Sequence, residues 1–187
     1  MQGATSLFAI ADVLTYPGAN YSEVVRKCAA CASESCEKEV RRFAEAVAPL
    51  STEAAQELYT QTFDLNPLCS LELGWHLFGE NYERGLLLVR LRQELRACDL
   101  TESSELPDHL THALRLIDRM DHERAADFIA AIVLPALMKM LQAFAGKQNP
   151  YEHMLRALAM VLREAFPEIP LPETKVELPV LSQEVTV

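Results

Sequence analysis

The chain has 187 residues, 50% of them hydrophobic and 24% charged, with 27 acidic against 17 basic side chains and a formal charge of −10. That size fits one domain able to fold without disulfides or a structural metal. The acidity excludes a role built on neutralising phosphates, so no nucleic acid is expected as partner. The opening residues have no basic region ahead of an apolar run that Asp12 interrupts, and they are not expected to act as a secretory leader. The longest uncharged apolar stretch, 128–138, holds Pro135 and falls far short of the roughly 18 to 20 residues of a membrane span. We therefore expect a cytoplasmic protein with no membrane segment, its five cysteines kept as reduced thiols.

With only six glycines and a surplus of Leu, Ala, Glu, Arg and Gln, local propensity favours helix almost everywhere before residue 167. Leu7, Ile10 and Leu14 form the first stripe at helical spacing. Asn20-Tyr21-Ser22-Glu23 and Ser51-Thr52-Glu53 then carry helix-start chemistry. Leu71, Trp75, Phe78, Tyr82, Leu86 and Val89 recur at three and four, overlapping Leu88, Leu91 and Leu95, so the pattern predicts one long helix over 70–98. Pro107 is placed to open the next helix, with Glu105 and Asp108 near its positive end and Leu110, Leu114 and Ile117 as its apolar stripe. Two further stripes follow: Ile129, Val133, Leu137, Met140 and Phe144, then Leu155, Leu158, Leu162 and Phe166, the latter opened by Asn149-Pro150-Tyr151-Glu152. The prediction is an all-α, single-domain helical bundle of about seven or eight helices over 1–166. Residues 167–187, with Pro167, Pro170, Pro172 and Pro179 and a short alternation over 174–178, are expected to form an extended or disordered tail.

Few residues offer chemistry. Cys28-Ala-Ala-Cys31 followed by Cys36 has a spacing that lets two thiolates share a tetrahedral ion, but no second pair completes a site. His109 and His112 stand one turn apart without a carboxylate-rich partner motif. No nucleophile elbow, Walker loop or dinucleotide fingerprint occurs. The informative segment, 63–85, reads FDLNPLCSLELGWHLFGENYERG. On one continuous helix its Glu72, His76, Glu80 and Arg84 would form a row, with Glu80 and Arg84 as an intrahelical pair. Gly74, Gly79 and Gly85, half of the chain's glycines, each cost up to ~1 kcal/mol in a helix interior. Their density suggests a helix lining a crevice, where another group approaches closely.

This segment, followed some twenty residues later by ELPDHL, resembles the nitrate reductase delta-subunit-like chaperones, the NarJ/TorD/DmsD group. The likeness rests on Tyr59, Phe63, Asp64, Ser70 and Leu71, on the His76, Gly79, Glu80, Arg84, Gly85 stretch, on residues 106–110, and on Leu14-Thr15-Tyr16-Pro17 at the end of the first helix. Where the nitrate reductase branch often has Phe-Glu before the histidine, this chain has Gly74-Trp75, which is closer to relatives serving selenate, chlorate or hydrocarbon-oxidising enzymes. The resemblance implies a chaperone rather than an enzyme. It would bind the catalytic subunit of a molybdoenzyme of anaerobic respiration or nitrate assimilation, including that subunit's N-terminal peptide, and assist molybdenum cofactor insertion without holding the cofactor stably. The partner-binding residues so implied are Tyr59, Phe63, Asp64, Ser70, Glu72, Trp75, His76, Gly79, Glu80, Arg84, Pro107, Asp108 and His109. His76, with an unperturbed pKa of about 6.5, would make binding sensitive to pH, and the chain would be a monomer or a domain-swapped dimer. The rival readings are a metal- or cofactor-dependent helical enzyme and a helical transcription factor, for which no basic recognition helix is found.

Overall fold

Helix starts follow capping chemistry at two of the three predicted places. Ser51 accepts a hydrogen bond from the Ala54 amide at 3.2 Å ahead of α4 (Thr52–Tyr59). Asn149 Oδ1 accepts from the Tyr151 amide at 3.0 Å ahead of α10 (Tyr151–Ala165). Asn20 precedes α2 (Tyr21–Ala30), but its side chain makes no capping bond. The computed structural model describes residues 7–169. The remaining α-helical segments are α1 (Leu7–Val13), α3 (Glu37–Val47), α5 (Leu73–Phe78), α6 (Tyr82–Ala97), α7 (Leu110–Ile117), α8 (His122–Phe128) and α9 (Leu134–Phe144). The expected extended tail beyond Ile169, with its 174–178 alternation, lies outside the described residues.

Two π turns, each with its terminal amide reaching back five residues, lengthen these rods. One continues α4 over Thr60–Asp64, closed by Leu65 N–H to the Thr60 carbonyl at 2.9 Å. The other spans Ile129–Val133 and joins α8 to α9, with Leu134 N–H on the Ile129 carbonyl. Pro135 follows at the first turn of α9. A proline cannot donate to the helix ladder and clashes with the carbonyl four residues back, and a π turn relieves both problems by widening the coil just before it. The rod His122–Phe144 thus runs 23 residues through the proline. Among the described residues it alone is long and apolar enough to cross a membrane, with a mean hydropathy of 1.6 and 39% of its most apolar window buried inside the protein. The uncharged stretch 128–138 had given no such length. The rod's buried residues, Ile129, Val133, Leu137, Met140 and Phe144 among them, pack against α5 and α10 as one wall of the bundle.

Among the described residues the rods number nine and no strand forms, one rod more than the upper expectation. The extra one comes from Gly79, where the predicted 70–98 helix breaks. Gly79 adopts φ +58° and ψ −131°, a conformation that side-chain-bearing residues rarely take. Its amide closes α5 on the Trp75 carbonyl at 2.9 Å, and an extended Asn81 starts α6 in a new direction. Leu91 and Leu95 of α6 are buried, whereas Tyr82, Leu86 and Val89 face solvent and do not extend the core stripe expected of them.

The core gathers around α10, which packs on α3, α9 and α1. Leu155, Leu158 and Leu162 are buried as predicted, each contributing about 1.5–3 kcal/mol on transfer from water. Tyr151 is fully buried, its ring 5.2 Å from Phe43 and 4.7 Å from Phe63, and its hydroxyl 3.1 Å from that of Tyr21. Tyr21 in turn donates to the Val13 carbonyl at 3.0 Å. Tyr59 leans on Phe63 at 5.0 Å and donates to the Leu14 carbonyl at 3.3 Å. This aromatic cluster anchors the end of α4, from which the informative segment begins.

Candidate functional site

The two motif segments, separated in sequence, are stitched together by backbone. Leu73 N–H donates to the Asp108 carbonyl at 2.8 Å and Leu110 N–H to the Leu71 carbonyl at 2.7 Å, around an antiparallel bridge between Glu72 and His109. Asp108, fully buried, adds side-chain bonds: its Oδ2 accepts from Gly74 N–H and from Arg84 Nε, both at 3.1 Å. Arg84 Nη2 reaches Glu72 Oε2 at 2.8 Å, and its guanidinium carbon lies 5.9 Å from the centre of the Trp75 ring. One arginine thus ties α6 to the entry of α5 and to the loop before α7.

This network corrects three sequence expectations. Arg84 pairs with Glu72 and Asp108 and not with Glu80, because the Gly79 break takes Glu80 off the predicted row. Glu80 is exposed and, among the described residues, has no ion-pair partner. Asp108 is not an acid at the start of α7. It serves the first turn of α5 instead, and α7 begins later than Pro107 implied, with His109 as its cap. Of the three glycines credited with permitting close approach, only Gly74 does so. A Cβ there would lie 2.7 Å from Asp108 Oδ2 and 3.1 Å from Arg84 Cγ and Leu87 Cδ2. Gly79 serves the turn, and Gly85 has, among the described residues, nothing within 4 Å of where its Cβ would be. Gly85→Ala is accordingly expected to raise stability by about 0.5–1 kcal/mol, since alanine is the better helix former where nothing obstructs it. Urea melts check this, and a loss of stability would reveal a hidden contact.

Above the network opens a cleft of about 420 Å³. Tyr59, Phe63, Asp64, Ser70, Glu72, Trp75, Arg84 and His109 all line it, eight of the thirteen implied partner-binding residues, joined by Pro67, Leu71 and Glu105. The indole of Trp75 is fixed by donating to the Pro67 carbonyl at 3.0 Å. His76 and Gly79 lie beyond Trp75, along a second groove of about 550 Å³ bounded by Lys139. Pro107 and Asp108 are buried and line neither hollow; Glu80 also lines neither. Glu105 stands in sequence beside the Pro-Asp-His turn, and Pro67 carries no pattern that marks it. Three carboxylates, Asp64, Glu72 and Glu105, face the cleft, while the one cation among its lining residues, Arg84, already has both sides engaged. The cavity is therefore acidic and aromatic.

The histidines are structural donors and acceptors. His76 Nε2–H donates to the Ser70 carbonyl at 2.6 Å, and burial holds its pKa below the ordinary value of 6.5. His112 donates from Nδ1 to the Leu106 carbonyl at 2.9 Å and accepts the Ser103 amide on Nε2 at 3.2 Å. His109 Nδ1 accepts from the Thr111 hydroxyl at 2.7 Å, and burial, followed by the nearby His112 and Arg115, pushes its pKa down to about 3. An unfolded His109 takes up a proton near pH 6.5 and the folded one does not. Stability should therefore be fully present above pH 6.5 and fall as pH drops below it, by up to about 1.4 kcal/mol per unit from this residue. His109→Gln is expected to flatten that slope between pH 6.5 and 4.5 in pH-resolved urea melts, and an unchanged slope would mean the ring is not held neutral.

A metal reading finds little to work with. Among the described residues no group of three or more His, Cys, Asp or Glu is arranged to hold an ion. Cys28 and Cys36 are buried and Cys31 exposed. Burial, reinforced by Cys31 and Cys36, pushes the Cys28 thiol up to about 12, away from the thiolate that ligation requires.

Among curated proteins no relative matches the chain. A family model described as nitrate reductase delta subunit matches residues 29–162, which covers both stitched segments and the whole cleft lining. With more than two thirds of its 187 residues matched, the chain belongs to the nitrate reductase delta subunit family, the chaperone family to which its motifs pointed.

Proposed function

We propose that this protein is a cytoplasmic, system-specific chaperone that holds the immature catalytic subunit of a molybdoenzyme, by its N-terminal peptide among other parts, while the molybdenum cofactor is inserted. The client is a nitrate reductase or a related selenate or chlorate reductase or hydrocarbon dehydrogenase. The observation that carries this reading is the acidic, aromatic cleft, walled by Trp75, Tyr59 and Phe63 and edged by Asp64, Glu72 and Glu105. Apolar side chains of an amphipathic client segment would bury against the rings, and basic ones would be steered by the carboxylates. His109, neutral and donating from Nε2, offers that segment a hydrogen bond, since Nε2 has no partner among the described residues. The same charge argues against seating the cofactor here. Its phosphate groups would meet three carboxylates and an arginine already neutralised, so the cofactor is cargo for the client and is handled indirectly.

Calorimetric titration with the apo catalytic subunit, or with its N-terminal peptide, tests this proposal. Trp75→Ala should weaken binding at least roughly tenfold, whereas Glu80→Ala, outside both hollows, should leave it nearly unchanged. Asp64→Asn combined with Glu105→Gln should slow association and reduce its salt dependence. No binding by the wild-type protein to either form of the client would refute the reading.

A further inference from the structure

Helix α6 is apolar on two opposite sides. Leu91 and Leu95 turn inward against Leu116, with Leu87 packed beside them, which accounts for one side. On the other, Tyr82, Leu86 and Val89 recur at helical spacing and are 78%, 45% and 53% exposed. An exposed apolar row of this kind is ordinarily a surface that a partner covers, and nothing among the described residues covers this side. Gly85 lies between Tyr82 and Leu86, a notch with open space where its Cβ would be. The notch costs helix stability and, among the described residues, accommodates nothing.

The charges beside the stripe say what fits it. Glu83 and Arg90 are exposed and, among the described residues, have no ion-pair partners. They stand on either side of Leu86, three residues before it and four after. An antiparallel copy of the same helix brings Glu83 of each chain to Arg90 of the other, sets Tyr82 over Val89 at both ends, and seats Leu86 in the opposing Gly85 notch. This is the self-complementarity that a two-fold interface requires. Although the chain is acidic, α6 carries four arginines against two glutamates, so the acidity that would hold two copies apart lies elsewhere.

We propose that the Tyr82, Gly85, Leu86, Val89 face of α6 pairs two copies of this chain antiparallel, through helix contact and without exchange of segments. One helix face buries less than a standard interface, so the dimer should be reversible and concentration-dependent. Sedimentation equilibrium of the full chain, from roughly micromolar to hundreds of micromolar, should show it. Leu86→Asp, at an exposed site and so with unchanged circular dichroism, should raise the dissociation constant at least about tenfold. Gly85→Ala should weaken pairing while stabilising the monomer. Glu83→Arg should weaken pairing, and Glu83→Arg with Arg90→Glu should restore it, fixing the antiparallel register. A monomer at every concentration, or a dimer indifferent to Leu86→Asp as an exchanged one would be, overturns the proposal. Leu86→Asp protein that still binds client separates this result from a failure of the cleft, whereas a monomeric wild type whose client binding falls with Leu86→Asp would assign the face to the client and overturn the pairing.

Discussion

Arg84→Met is expected to destabilise the chain by about 3–5 kcal/mol, the usual result of stripping the partner from a buried charge. Asp108 has no exposed surface, and its Oδ1 lacks a hydrogen-bond partner among the described residues. Without Arg84 the carboxylate would keep only the Gly74 amide on its side chain. The same substitution on Asp108→Leu should cost much less, because the charge it would orphan is gone. A double-mutant cycle by urea denaturation measures the coupling. Equal costs in both backgrounds would show that the pair does not hold the cleft floor together.

Gly74→Ala is the second large effect, expected at about 1–3 kcal/mol through overpacking. The added methyl would sit 2.7 Å from an Asp108 oxygen that two hydrogen bonds hold in place. It cannot be accommodated without loosening Arg84, so client binding should fall along with stability. The contrast with Gly85→Ala in the same variant series is the check: one glycine is required by its neighbours and the other is not. If the two substitutions behaved alike, the packing around Gly74 would be looser than described.

Much of the fold could be read from the chain because it is written in periodicity. Ile10, Leu114, Leu137 and Leu158 each belong to a stripe at helical spacing, and each is fully buried. The single long helix over 70–98 failed for a reason periodicity cannot register. A break at Gly79 changes the direction of the axis while the apolar spacing continues across it, so Tyr82, Leu86 and Val89 resemble core residues and yet face solvent. The same break undid the Glu80–Arg84 pair. At the site, the residue types were legible but not their depth. Asp108 in a Pro-Asp-His turn looks like an ordinary capping acid, and only the tertiary bridge between Glu72 and His109 turns it inward. Glu105 was visible next to that turn, but its place at the cleft depends on the same bridge. Pro67 contributes a backbone carbonyl that holds Trp75, a role independent of side-chain type and so without a sequence signature.

Hydrogen–deuterium exchange of the full chain, alone and with the apo catalytic subunit of its molybdoenzyme, is the most direct test that the client docks in the acidic, aromatic cleft. Protection should concentrate in amides of residues 63–76 and 104–110 and be lost in Trp75→Ala. Protection confined to the surface of α2 and α3, or bound client that leaves both segments exchanging as freely as before, would contradict that assignment.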